Sequence, residues 1–271
     1  MPSSDSHFEG KPWIYDMHWN PKSYLRQYYS TPIVADDCEA AMRFAADEAR
    51  RRQLSNARIL DFGSGPTIWG VLSLSPFASE IHFSDYVSEN FDAIREWVRN
   101  EPDAHDWSVY MRSALELYNS NKPSEPMSAT DFHSHFRKSI AGYYHADAFV
   151  DPAIPTAPPP FDVVVSHYCL ECIQTDKSQW QIFMRRLADL VSPGGTLFLS
   201  SILHSGEYLV EGKRFPVTRL SLQDIQSELI ALNFPEEHIE LRSVPIEAWK
   251  NEGFDQVCLA AATKRHDQAR L

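Results

Sequence analysis

The sequence predicts an α/β fold, in which parallel strands alternate with helices packed on both faces of the sheet. Three features carry this expectation. Arg58-Ile59-Leu60 leads into Asp61-Phe62-Gly63-Ser64-Gly65-Pro66-Thr67 and then Ile68-Trp69-Gly70-Val71-Leu72, which reads as strand, glycine turn and helix start. Ile81-His82-Phe83-Ser84 is a second short strand ending in Asp85, about 20 residues beyond the turn, where an acidic residue meets ribose hydroxyls in nucleotide-binding βαβ units. Phe161-Asp162-Val163-Val164-Val165-Ser166 and Thr196-Leu197-Phe198-Leu199-Ser200-Ser201 are apolar runs suited to strands buried on both faces.

The elements follow in order. Residues 1–20 read as a tail with aromatic anchors, and Pro21 opens a short helix over 21–29. Over 36–53, Cys38, Ala41, Met42, Ala45 and Ala49 recur at three- and four-residue steps, an amphipathic helix with Asp36 or Asp37 as its cap. Strand 57–62, a helix from about Thr67, strand 80–84 and a helix over 88–100, begun by Ser88, come next. Between 101 and 160 the pattern degrades into helix in parts of 108–118 and 128–140, a polar excursion at 119–126 and a Pro-rich run at 157–160. Regularity returns with strand 161–166, a helix over 177–190, and the turn Pro193-Gly194-Gly195 into strand 196–201. A hairpin around Glu211-Gly212, a helix from Ser221 to about 232, and strands at 239–245 and 255–263 complete the chain.

A chain of 271 residues accommodates one large core, so a single domain is expected. The formal charge of -12, from 25 basic and 37 acidic residues, speaks against nucleic acid and anionic membrane as partners. A small-molecule substrate fits better. Cys38, Cys169, Cys172 and Cys258 are too few and scattered for a secreted disulfide framework. Cys169 and Cys172 lack a second pair, so no metal is expected. No apolar run is long enough to span a bilayer, and a cytoplasmic, reducing location is expected. The absence of a heptad or long apolar edge suggests a monomer.

Asp61-Phe62-Gly63-Ser64-Gly65-Pro66-Thr67, Ser84-Asp85-Tyr86 with Asn90, Glu101-Pro102-Asp103-Ala104-His105-Asp106-Trp107, Cys169-Leu170-Glu171 and Pro193-Gly194-Gly195 occur in one order. This set resembles the small-amine methyltransferase family that includes the nicotinamide, phenylethanolamine, indolethylamine and thioether methyltransferases. Asn20-Pro21-Lys22-Ser23-Tyr24-Leu25-Arg26-Gln27-Tyr28-Tyr29 is similar to that family's lid segment. The resemblance implies a Rossmann-like seven-stranded sheet over 56–271, an N-terminal helical lid over 1–55, a small hairpin insertion, and S-adenosylmethionine as cofactor.

It also implies roles. Thr67 stands where a dinucleotide fingerprint has a third glycine, and S-adenosylmethionine has no phosphate. Its amino-acid end and sulfonium would lie on the Gly63, Ser64 and Gly65 backbone and the Thr67 hydroxyl, with Asp85 on the ribose diol. Tyr86, Asn90, Asp147, Ala148 and His167 complete the implied cofactor site, and Tyr24 and Tyr29 close over it. On the acceptor side stand Tyr28, Tyr168, Glu171, Ser201, Ser205 and Tyr208. Glu171 and Tyr24 are the candidate catalytic residues. Glu171 matches a carboxylate that contacts the substrate's amine side in the phenylethanolamine branch, although a helix-start glutamate has the same appearance. The nicotinamide branch carries aspartate where this chain has Ser201, which speaks against nicotinamide itself. The expected reaction is methyl transfer to the nitrogen of a small amine or N-heteroaromatic. Transfer to sulfur or oxygen, a non-catalytic cofactor-binding protein, and an NAD-dependent oxidoreductase remain open at this point.

Overall fold

The computed structural model describes residues 19–122, 124–156 and 160–266. The tail expected before Trp19 and the proline run at 157–159 lie outside the described residues. Along the chain come α1 (Pro21–Tyr29), α2 (Asp36–Arg51), β1 (Ala57–Phe62), the single-turn α3 (Trp69–Leu72), β2 (Ala78–Asp85), α4 (Asn90–Val98), α5 (Ser108–Ser120) and α6 (Ala129–Ser139). Then follow β3 (Ile140–His145), β4 (Phe161–His167), α7 (Lys177–Asp189), β5 (Val191–Ile202), the hairpin β6 (Glu207–Val210) and β7 (Lys213–Pro216), α8 (Leu222–Ala231), β8 (Ile239–Pro245) and β9 (Gln256–Thr263).

Seven strands form one sheet in the order β3-β2-β1-β4-β5-β9-β8. Strands β1 to β5 are parallel, and β9 runs antiparallel between β5 and β8. Successive side chains point to opposite faces. Ile59, Val163 and Phe198 therefore enter one apolar cluster with α2 and α5, whereas Leu60, Val164 and Leu197 enter the other with α7 and α8. The chain winds outward from β1 toward β3 and, on the other side, from β4 toward β5. That reversal leaves a crevice at the carboxyl ends of β1 and β4, where open α/β sheets bind ligands.

Local chemistry fixes the boundaries that frame this crevice. Asn20 caps α1 by accepting from Ser23 N–H, and Ser221 caps α8 in a reciprocal capping box with Asp224. Glu211 and Gly212 both have positive φ (50° and 74°), the twist that a two-residue hairpin turn requires.

Several expectations are corrected. The N-cap of α2 is Ala35, with Asp36 and Asp37 inside the first turn. The N-cap of α4 is Glu89, while the Ser88 hydroxyl bonds the Glu89 carboxylate. The helix from Thr67 shrinks to Trp69–Leu72, followed by a 3-10 turn at Ser75–Phe77, because Pro76 has no N–H to donate to the Leu72 carbonyl and continue the α-helix. The helix expected in parts of 128–140 is α6, and the edge strand β3 that follows it directly has no counterpart among the expected elements. Pro193-Gly194-Gly195 lies within β5 as a break in its pairing with β4, not ahead of the strand.

Candidate active site

The crevice is a cleft of about 980 Å³ including its mouth, with the glycine turn as its floor. Gly63 and Gly65 hold positive φ (70° and 59°). The turn's N–H groups are already engaged: Gly63 N–H and Ser64 N–H donate to Ser84 O at 2.8 and 3.1 Å, and Gly65 N–H donates to Asp85 Oδ2 at 2.7 Å. The Thr67 hydroxyl donates to Ser64 O at 2.9 Å. The floor therefore offers a ligand acceptors, among them carbonyl oxygens and the oxygen of the Thr67 hydroxyl.

Asp85 organises this end of the cleft. Its Oδ1 also accepts from Val87 N–H and from the Asn90 amide, both at 2.9 Å. Asn90 in turn accepts from the Trp19 indole at 2.8 Å, tying the segment before α1 to the glycine turn. Burial pushes the Asp85 carboxyl up from its ordinary range, against the opposing pull of these hydrogen bonds. Asp61, at the end of β1, is pushed up to about 8 by burial and then by the charge of Asp85. Among the described residues three acidic side chains, Asp61, Asp85 and Asp147, line the cleft, and no Lys or Arg does.

The far wall is aromatic. The Trp69 indole donates to the Tyr29 hydroxyl at 3.1 Å, and Tyr24 and Tyr29 hydroxyls lie 3.3 Å apart. His167 stacks on Trp69 at 4.7 Å, with Nδ1 2.7 Å from Ser200 Oγ. Burial lowers His167 to about 4, so it is neutral at physiological pH. Tyr168 adopts φ 51°, a left-handed conformation rare outside glycine, which turns the chain after β4. Gln27 and Tyr28 side chains both donate to Leu209 O (3.0 and 2.7 Å), and Glu211 N–H donates to Gln27 at 2.7 Å, pinning α1 to the hairpin.

A second, smaller chamber of about 410 Å³ adjoins the cleft. Tyr24, Tyr29, Tyr168 and Tyr208 border both. Its far side carries Tyr28, Asp37 and Trp249.

The expected cofactor residues gather around the first cleft: Gly63, Ser64, Gly65 and Thr67 in the floor, Asp85, Tyr86 and Asn90 after β2, and Asp147, Ala148 and His167 opposite, under Tyr24 and Tyr29. Among the expected acceptor residues, Tyr28, Tyr168 and Tyr208 border the second chamber. Glu171, Ser201 and Ser205 border neither. Ser201 is buried in β5, and the Ser205 hydroxyl lies 2.7 Å from both Glu207 O and Gly253 O, beside a separate surface hollow. Sequence reasoning missed Asp61 and Trp69 in the cleft and Asp37 and Trp249 in the chamber. Asp61 carried a readable signal, an acid at the carboxyl end of a buried strand, whereas Asp37 looked like a helix cap.

Glu171 requires the largest revision. It is fully buried in the turn Leu170–Cys172, its Oε1 accepts from Ile202 N–H at 2.9 Å, and its own carbonyl accepts from Thr218 N–H at 2.7 Å. It braces β5 and the segment after β7 rather than facing a ligand. Burial raises its carboxyl to about 7 from an ordinary 4.5. Between those values the folded protein holds a proton that the unfolded chain has lost, so stability falls as pH rises through 7. Glu171→Gln stays neutral and is expected to melt higher than the parent at pH 8, by about 2–4 °C for each kcal/mol recovered. At about pH 4, below the unfolded value, the two should match, with cofactor affinity unchanged throughout. Equal melting temperatures at both pH values would sink this account.

The family model described as "NNMT/PNMT/TEMT family" matches residues 11–265. Indolethylamine N-methyltransferase of Oryctolagus cuniculus is 26% identical over 259 residues, covering 93% of this chain and 95% of that protein. Phenylethanolamine N-methyltransferase of Macaca mulatta is 27% identical, with 88% and 85% covered, and nicotinamide N-methyltransferase of Sus scrofa is 26% identical, with 84% and 87% covered. Two solved structures share the fold. One is a SAM-dependent methyltransferase from Methanosarcina mazei (TM-score 0.54, 14% identity, 81% of this chain and 98% of the other). The other is the 1,6-didemethyltoxoflavin-N1-methyltransferase of Burkholderia thailandensis, crystallised with its substrate and S-adenosylhomocysteine (TM-score 0.51, 15% identity, 94% and 91%). No helix among the described residues is long and apolar enough to cross a membrane.

Proposed function

The chain belongs to the NNMT/PNMT/TEMT family, and from that premise we propose that it is an S-adenosylmethionine-dependent N-methyltransferase, with the donor in the first cleft and a small amine acceptor in the second chamber. The observation that carries the reading is the chemistry of the cleft: three acidic side chains, no Lys or Arg among the described residues, and a turn whose Gly63, Ser64 and Gly65 N–H groups are already engaged. Such a site suits a ligand carrying a sulfonium and an ammonium. A pyrophosphate needs donors and positive charge, so an NAD-dependent reaction is disfavoured by the same features.

The residues fit the donor. Asp85 presents its remaining acceptor, on Oδ2, to the ribose diol, Asp61 and the floor carbonyls face cationic groups, and Asp147 supplies an acceptor for an exocyclic amine. The bound cofactor supplies an already activated methyl group, so no metal or covalent intermediate is called for. What the protein contributes is alignment and water exclusion, for which about 7–11 kcal/mol is available in favourable cases. Tyr24 and Tyr29 stand where cleft and chamber meet. Burial raises both phenols, so they act as neutral hydroxyls and apolar walls rather than as bases. An aliphatic amine must shed a proton before its lone pair is free.

Calorimetry provides the test. Purified protein should take up S-adenosylhomocysteine and not NADH, and mass spectrometry should find a single added methyl on amines rather than on thioethers or phenols. Asp61 adds a second readout in the same titrations. Protonated in the free protein below about pH 8, it should ionise beside a cationic ligand, so binding releases protons to the buffer and tightens as pH rises toward 8. Uptake of NADH but not of S-adenosylhomocysteine would overturn the reading.

A further inference from the structure

Resting on the acceptor chamber proposed above, we infer that Asp37 anchors the acceptor's ammonium group, and that the chamber thereby selects protonated amines over neutral heteroaromatics and alcohols of the same shape. Asp37 is 3% exposed and sits on the chamber's far side. Among the described residues no Lys, Arg or His borders the chamber, and the charge acting on Asp37 is that of another acid, Asp36. Its Oδ1 accepts from the Trp249 indole at 2.8 Å, and its Oδ2 has the Cys38 thiol at 3.8 Å. These are neutral donors. Buried carboxylates are ordinarily paired with a cation, and the described residues supply none.

Asp37 lies in the first turn of α2, where the helix dipole favours a negative charge. That accounts for tolerance of the acid at this position, but the surroundings point further. The Tyr168 hydroxyl borders the chamber beside Asp37, a further neutral donor, and its phenol is raised by burial and then by the charge of Asp37. Aromatic rings complete the enclosure: Tyr28 lies 4.7 Å from Trp249 and 5.1 Å from Tyr24, centroid to centroid. Aromatic faces around one carboxylate, with no competing base, form the chemical environment in which ammonium ions are held. A neutral pyridine-type acceptor has no use for the charge and would leave it buried and unpaired. Glu171, the acid expected to do this work, is turned into the wall.

The test uses butylamine, benzylamine and tryptamine, each paired with its matching alcohol, titrated into S-adenosylhomocysteine-saturated protein. Wild type should bind at least one amine well above its alcohol. Asp37→Asn should weaken that amine by about 30-fold or more, the usual consequence of deleting one partner of a buried charged pair, while the alcohol is unaffected. Cofactor affinity of Asp37→Asn should match wild type, since Asp37 does not border the first cleft, and this also reports that the variant is folded. Amine affinity unchanged in Asp37→Asn, alcohols bound as tightly as amines, or no amine bound at all would each overturn the assignment. Should the variant not fold, the contrast between amine and alcohol in wild type decides alone. A wild-type protein that takes up no S-adenosylhomocysteine fails the donor reading instead, and the two failures are therefore distinct.

Discussion

Asp85→Ala is expected to lose at least about 100-fold in affinity for S-adenosylhomocysteine, because several charge-assisted hydrogen bonds of about 1.5–3 kcal/mol each depend on one carboxylate. In the free protein those bonds go to Gly65 N–H, Val87 N–H and the Asn90 amide. In the complex, the lone pair that these bonds leave on Oδ2 is the one proposed for the ribose diol. Alanine removes the ligand contact and also releases the glycine turn and Asn90, hence the link to Trp19. Asp85→Asn should fail nearly as badly, by about tenfold or more, since an amide has to point an N–H₂ at groups that are themselves donors. Thermal stability should move less than affinity, because the deleted carboxyl was held in a buried site that raises it. Calorimetry at neutral pH measures the loss, and affinity within about threefold of wild type would refute the assignment of Asp85 to the ribose.

Gly63→Ala should be the most damaging single methyl in the chain. A Cβ there would lie 2.0 Å from Cys169 Sγ and 2.7 Å from Cys169 Cβ, on a backbone with φ +70°. The left-handed backbone costs roughly 1–2 kcal/mol and overpacking about 1–3 kcal/mol, so a loss of roughly 2–5 kcal/mol in unfolding free energy is expected, with cofactor uptake abolished as the turn shifts. Gly65→Ala is the internal control: φ is +59° but no atom lies within 4 Å of its Cβ, so only the backbone component remains. Removing Cys169 tests the cause. Cys169→Ala should relieve Gly63→Ala only partly, since its own Cβ stays in the way, and Cys169→Gly should relieve it further, leaving the strain of φ. Chemical denaturation of the singles and doubles measures the coupling. Additive effects in that cycle would show that the collision is not the cause.

The parts of the fold that sequence reveals are those in which one residue's environment is decided by its immediate neighbours. The run at β4 is apolar on both faces because both clusters need it, and the turn at Gly63 and Gly65 needs residues that accept positive φ. Strand β3 escaped because it lies at the sheet edge with mostly half-exposed residues, so Ile140-Ala141-Gly142-Tyr143-Tyr144-His145 has neither alternation nor an apolar run. The cleft was legible along β1 and β2, where sequence order and spatial order agree. The chamber was not, since it is assembled from α1, the start of α2, the turn after β4, the hairpin and the segment before β9. Asp37 shows why. Its first-turn position is visible in sequence, but that it meets Trp249, some two hundred residues away, is a fact of tertiary packing.

The acidic lining of the first cleft, which has no Lys or Arg among the described residues, has a consequence for turnover. Methyl transfer removes one positive charge from the donor, turning a sulfonium into a thioether, while Asp61, Asp85 and Asp147 stay where they are. Attraction between lining and occupant therefore weakens at the moment the reaction is complete. Fresh donor outcompetes the demethylated one for electrostatic reasons alone, and the site favours its own recharging.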